Sequence, residues 1–277
     1  MNMNRIILVP TDFSENALLA TRFAVGLATH AGLDVCVLHA FRPFRSAFQQ
    51  DAVNDADREG ARQEASTQMA AFLENFSGSV KPLEAALIEE NLSEAIDSFL
   101  SERDVAVVVM GTTGASGVKH HLLGSNTFAI ASTLKQVPLI AVPPGTTRFL
   151  LDKIAFFTDF NQGDLSTVSL LHTLFHNPGS TIQLIHFGRP EEREAKEEKL
   201  GDWARVLETK ADLQTLPFRF IAGQEGVEAV EQLDEDFDLL ALTLVEHGFF
   251  ERLFSKSMAR ELIHQSKLPV FLASGLS

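Results

Sequence analysis

This chain contains one unit twice, and the duplication limits what it can fold into more than any other feature. RIILVPTDFSENALLATRFA, beginning at Arg5, returns as KIAFFTDFNQGDLSTVSLLH from Lys153, and Thr11-Asp12-Phe13 meets Thr158-Asp159-Phe160 at an offset of 147 residues. VCVLHAF, with His39, matches IQLIHFG, with His186, at the same offset. VPLIAV from Val137 matches LPVFLA from Leu268 at an offset of 131, so the second copy is shorter in its middle. Two copies make a tandem pair, not an array. The break falls between Pro143 and Leu151, where a proline pair, a glycine and two threonines interrupt the apolar pattern.

Within each copy, short apolar runs of strand length alternate with longer stretches of helical period. The first copy has IILVP (6–10), VCVLHAF (35–41), PLEAALI (82–88), VAVVVMG (105–111) and PLIAV (138–142); the second has IAFFT, TIQLIHF, PFRFIA, FDLLALT and PVFLA. Ser14 or Asn16 can cap a helix reaching about His30, residues 52–76 form a long amphipathic helix, Ser93 starts a third, and a fourth follows Ser125. The runs 6–10 and 105–110 are continuously apolar, as strands covered on both faces tend to be. The alternation predicts two tandem doubly wound α/β domains, 1–147 and 148–277. Each is a five-stranded parallel sheet with about four helices, and ligands are expected at the carboxyl ends of the strands. Each last strand, 138–142 or 269–273, would be an exposed apolar edge, so the halves are expected to pair there about a pseudo-two-fold axis.

With 45% hydrophobic residues among 277, and only 10 prolines and 17 glycines, the chain can bury a substantial core. The 22 phenylalanines against no tyrosine point to an oily core and an apolar interface rather than an aromatic cofactor box. One cysteine, Cys36, excludes an intrachain disulfide and fits a reducing compartment; its place inside an apolar strand marks it as core. The opening MNMNRIILVPTDF lacks a leader pattern, and nowhere do about 18 apolar residues run together, so the expectation is a soluble cytoplasmic protein with no membrane partner. A net charge of −14, acidic in both halves, repels a phosphate backbone, and no nucleic-acid partner is expected.

The chemistry concentrates in VVVMGTTGASGVKHHLLGSNT, residues 107–127. Gly111 and Gly114 follow directly on a predicted strand, and Gly124-Ser125 opens a predicted helix. A glycine-rich turn lets backbone N–H groups approach an anion, and a helix N-terminus adds unpaired donors and the positive end of its dipole. Phosphate is the natural guest. Ser125 adds a hydroxyl, and Asn126 and Thr127 lie in the first turn, where a further contact can form. Spacing alone equally allows a plain strand-to-helix connection, because neither GxxxxGK[ST] nor GxGxxG is present.

Gly111-x2-Gly114-x9-Gly124-Ser125, downstream of ILVPTDFS and an LHA strand end, resembles the ATP-binding signature of universal stress proteins, and the resemblance extends over both halves in the manner of tandem members. It implies adenine nucleotide alpha-hydrolase-like domains that bind ATP or another adenine nucleotide, with or without Mg. It would place Asp12 on the ribose or adenine side, Ala40 as a backbone contact to adenine, and Gly111, Gly114, Gly124 and Ser125 around the phosphates. Asp12 also reads as a local helix-capping acid. The resemblance supports the intramolecular pseudo-dimer and leaves a further homodimer open.

The second half departs from this pattern. Thr243, Glu246 and Lys256 stand where Gly111, Gly114 and Gly124 stand in the first, and only Ser257 is retained. Side chains there crowd the backbone and Glu246 repels phosphate, so a nucleotide is expected in the first half only. Asp159 is then structural. His120 and His121 adjoin too closely to chelate one metal, and no metal site is assigned. His39 and His186 end equivalent strands, as ligand contacts or as hydrogen-bonded structural residues. The run 191–199 is a solvated helix face with spaced opposite charges. No nucleophilic elbow, metalloprotease helix or Walker lysine is present, so no catalytic residue is assigned. A nucleotide-binding stress-response regulator is the leading function. A scaffold or small-ligand-binding stress protein is the alternative, and a slow ATPase is a third.

Overall fold

The computed structural model describes residues 5–43, 55–113, 125–135, 137–149, 151–175, 179–211, 213, 215–222, 233, 236–244 and 266–274. The first half runs β1 (Ile6–Pro10), α1 (Glu15–Ala31), β2 (Asp34–Ala40), α2 (Asp55–Glu74), β3 (Glu84–Ile88), α3 (Leu92–Glu102), β4 (Val105–Gly111), α4 (Ser125–Thr133) and β5 (Leu139–Val142). The second runs β6 (Lys153–Phe157), α5 (Asp164–Phe175), β7 (Thr181–Gly188), α6 (Arg193–Ala211), β8 (Phe218–Ala222), β9 (Leu239–Leu244) and β10 (Val270–Ser274).

All ten strands join one sheet in the order β3-β2-β1-β4-β5-β10-β9-β6-β7-β8. Every neighbouring pair is parallel except β5 and β10, which run antiparallel at the seam between the halves. The expected strand-to-strand junction is therefore present, and its register carries a symmetry. Ile140 faces Phe271, its own equivalent at the 131-residue offset, while Leu139 faces Leu272 and Ala141 faces Val270. A residue opposite its own copy marks a pseudo-two-fold axis through the Ile140–Phe271 pair.

The side chains of β1 alternate between two cores, as the two-residue period of a strand requires. Ile6 and Leu8 join the layer under α3 and α4, whereas Ile7 and Val9 join the layer under α1. Both layers continue across the seam, the first through Ala141 and Leu272 and the second through Ile140 and Phe271. The apolar face of α1, from Ala17 through Ala20, Thr21, Ala24, Leu27 and Ala28, recurs on α5 as Asp164, Thr167, Val168, Leu171, Leu174 and Phe175 at an offset of 147. Asp164 is the one charged residue in that face.

Of the two candidate caps of α1, Ser14 is the one used, its side chain accepting from the Ala17 N–H, and Gly32 at φ 71° closes the helix. The third helix begins earlier than expected: Asn91 caps it and forms a reciprocal box with Glu94, which leaves Ser93 inside the first turn. The linker is anchored to the second half. Arg148 pairs with Asp238, whose other carboxylate oxygen accepts from the Asp152 and Lys153 N–H groups at 3.1 Å.

Candidate functional site

The order β2-β1-β4 fixes where a ligand crevice opens. From β1 the chain winds outward to β2 and β3, then crosses back to β4 on the other side, so β1 and β4 part at their carboxyl ends. Asp12 follows β1, Ala40 ends β2 and Gly111 ends β4, which brings three of the expected site residues to this one edge. Asp12 is exposed, and its carboxylate accepts the Ser14 N–H at 3.1 Å in a tight turn. Ala40 is half-buried.

The loop that presents Asp12 is built the same way in both halves. Phe13 takes φ 63° and donates its N–H to Thr11 Oγ1 at 3.0 Å; Phe160 takes φ 61° and donates to Thr158 Oγ1 at 3.0 Å. His39 Nδ1 lies 2.8 Å from the Thr11 carbonyl and its ring stacks on Phe13 at 4.3 Å. His186 repeats both contacts with Thr158 and Phe160, at 2.8 and 4.6 Å. A carbonyl only accepts, so each histidine carries its proton on Nδ1 and serves as a strut. His186 is the more enclosed, at 1% exposure, and burial holds its pKa below the usual histidine value, helped by Lys196 and Lys199.

Gly111 has a local reason to be glycine. A Cβ there would lie 2.8 Å from Asn16 Oδ1 and 3.0 Å from the Asn16 carbonyl, so the missing side chain admits the first turn of α1. Asn16, 6% exposed, uses that space fully. Its Oδ1 accepts from both the N–H and the hydroxyl of Thr113 at 2.8 Å, and its Nδ2 donates to the Val142 carbonyl at 3.2 Å. Thr127 is buried and donates its hydroxyl to the Gly111 carbonyl at 2.8 Å, whereas Asn126 is exposed. Ser125 opens α4. Gly114, Gly124, His120 and His121 lie outside the described residues, as do Glu246, Lys256 and Ser257 of the second half.

The equivalent position of the second half is filled. Sheet register makes Thr243 the counterpart of Gly111: Val107 pairs with Ile7, Leu239 pairs with Ile154, and each of these residues lies four positions upstream. The helix partner is exchanged in the opposite sense, since Asn16 corresponds to Gly163. Thr243 Oγ1 donates to Asp164 Oδ1 at 2.9 Å and lies 2.9 Å from Thr167 Oγ1. Asp164 Oδ2 accepts from the Thr158 hydroxyl at 2.6 Å, the Asn161 N–H at 3.2 Å and the Trp203 indole at 3.4 Å. Burial pushes this carboxyl up to about 6, against the pull of those donors. Sequence reading gave Asn16 only as a candidate cap and missed Asp164; the signal was the repeat itself, which aligns Asn16 with Gly163 and Gly111 with Thr243.

The charged run after β7 forms α6 behind a 3-10 turn, and Arg193 and Glu197 pair at 2.8 Å one turn apart. Two of its lysines also meet an aromatic ring. Lys199 and Lys196 stand over the Phe160 ring at 4.1 and 5.5 Å. Cys36 is fully buried, and desolvation pushes its thiol up to about 12. The native protein should therefore resist a thiolate-directed reagent at pH 8 and react once unfolded; labelling of the folded chain would contradict this.

The model of the Universal stress protein family matches residues 3–143. This chain belongs to the universal stress protein family. Among solved structures it is similar over its full length to a universal stress protein from Archaeoglobus fulgidus DSM 4304, at 16% identity and a TM-score of 0.73, with 98% of each chain covered. A functionally unknown protein from Pseudomonas aeruginosa PAO1 aligns at 13% identity and a TM-score of 0.60, covering 98% of this chain and 93% of the other. At such identities these likenesses concern the fold alone, two tandem α/β units. No curated protein matches the chain in sequence. Among the described residues, no helix of this universal stress protein is long and apolar enough to cross a membrane.

Proposed function

We propose that the first unit, 1–147, binds one adenine nucleotide at the crevice between β1 and β4, and that the second, 148–277, binds none. Occupancy then acts as a regulatory signal in a stress response. The observation that carries this reading is the asymmetry of two matching sheet edges. In the first half, exposed Asp12 follows β1 and half-buried Ala40 ends β2, both on one side of β4, which ends at Gly111. In the second, Thr243 stands where Gly111 stands, and its hydroxyl is tied to Asp164 and Thr167. A carboxylate at Asp12 can accept ribose hydroxyls, and the Gly111–Gly114 and Gly124–Ser125 segments supply N–H donors to phosphates.

Titration calorimetry with ATP, run with and without magnesium, should return one site per chain. Asp12→Ala should weaken binding, and Gly124→Val should abolish it while the fold is retained. Two equivalent sites, or undiminished affinity in Gly124→Val, would overturn the reading. Phosphate release assayed beside the Asp12→Ala control separates a binding module from a slow ATPase.

A further inference from the structure

We infer that Asn16 is a positioning residue for phosphate recognition, an inference that rests on the nucleotide reading of the first half. Asn16 is contributed by α1, not by the glycine motif, yet it fixes the backbone where that motif leaves β4. One amide makes three hydrogen bonds to two separate segments: two from Thr113 and one to Val142 on β5. The Thr112 N–H donates to the same Val142 carbonyl at 3.1 Å, so the exit from β4 is held from both sides. Thr127 ties the first turn of α4 back to the Gly111 carbonyl. Thr113, between Gly111 and Gly114, and Thr127, two residues past Ser125, are thereby both bonded to fixed partners.

The clamp depends on the absence of a side chain at Gly111, whose Cβ would strike the Asn16 amide. The second half shows the reciprocal state. Gly163 replaces the amide, Thr243 fills the gap and turns its hydroxyl to Asp164. An exchange of both members of a contacting pair is what steric complementarity demands, because an amide and a threonine cannot share that space. The half with the clamp is the half with the glycine motif.

A residue that holds Thr113, next to Gly114, acts on the phosphate end and leaves the nucleoside end alone, since Asp12 follows β1 and Ala40 ends β2. The test is the ratio of ATP to adenosine affinity, measured by calorimetry on the full chain with melting temperature recorded alongside. Asn16→Ala should lower ATP affinity about tenfold, the loss expected for one to two positioning hydrogen bonds, with adenosine affinity unchanged within about twofold. Thr113→Val, which keeps the N–H and removes one bond to the amide, should shift the ratio the same way by a smaller factor, and serves if Asn16→Ala does not fold. Equal losses for both ligands, or no loss of ATP affinity, would overturn the inference while leaving nucleotide binding intact. A wild-type chain that binds neither ligand would instead overturn the nucleotide reading, and this inference with it.

Discussion

Phe271→Ala is expected to cost about 3–5 kcal/mol of stability and to weaken both halves together. Phe271 is fully buried in β10, opposite Ile140 on the pseudo-two-fold axis, and meets Phe175 of α5 edge-on at 6.1 Å. Truncation leaves a void walled by a continuous sheet below and a helix above, neither of which can collapse without breaking its own hydrogen bonds. The layer that loses the ring includes Val107 and Ile140 of the first half as well as Ile154 and Leu239 of the second. Urea unfolding followed by circular dichroism should therefore show one transition moved to lower denaturant, not a separate early melting of residues after 148. Phe218→Ala, at an edge-strand position 45% exposed, is the control, with an expected loss within about 1 kcal/mol. A Phe271→Ala chain as stable as that control, or one whose halves unfold apart, would show that the seam is a contact between independent domains.

The parts of this architecture legible in the sequence are those fixed by short-range pattern and by the repeat. The 147-residue offset carries through the buried face of α1 and α5, because two helices packing on equivalent strands need apolar groups at the same turns. The 131-residue offset carries the seam: equivalent edge strands can satisfy one another antiparallel with Ile140 against Phe271. The contacts that define the site were not legible, because their partners are far apart in the chain. Asn16 meets Thr113 across 97 residues and Val142 across 126, and Asp164 meets Thr243 across 79. Gly111 illustrates the consequence. From spacing it is a phosphate glycine, whereas in the fold the space its missing Cβ leaves is used by an amide on α1. The cap at Asn91 was overlooked for a more local reason: Ser93 stands closer to the apolar run, but only Asn91 has a glutamate three residues on to complete the box.

Asp164 should reveal itself through the pH dependence of stability. Its carboxylate accepts from Thr158, Trp203 and the Asn161 N–H on Oδ2 and from Thr243 on Oδ1, and Asp164→Ala leaves those buried donors without that acceptor. A loss on the order of 2–4 kcal/mol follows, because hydroxyls can partly re-pair, as Thr243 can with Thr167, while the indole and amide N–H groups cannot rotate away. The carboxyl itself is pushed up from 3.8 to about 6 by burial, so the folded chain binds this proton more tightly than the unfolded chain. Stability from that preference is complete below about pH 3.8 and is lost as the pH rises through about 6, a difference of about 3 kcal/mol across the window. Urea unfolding of the wild type and of Asp164→Asn at pH 7.5, 6.0 and 5.0 isolates the group, because every other titrating residue is common to both. The wild type should gain on the asparagine variant as the pH falls, since protonation removes a buried charge that asparagine never carries. Parallel curves would mean that the four donors offset the cost of burial fully and hold Asp164 near its ordinary value.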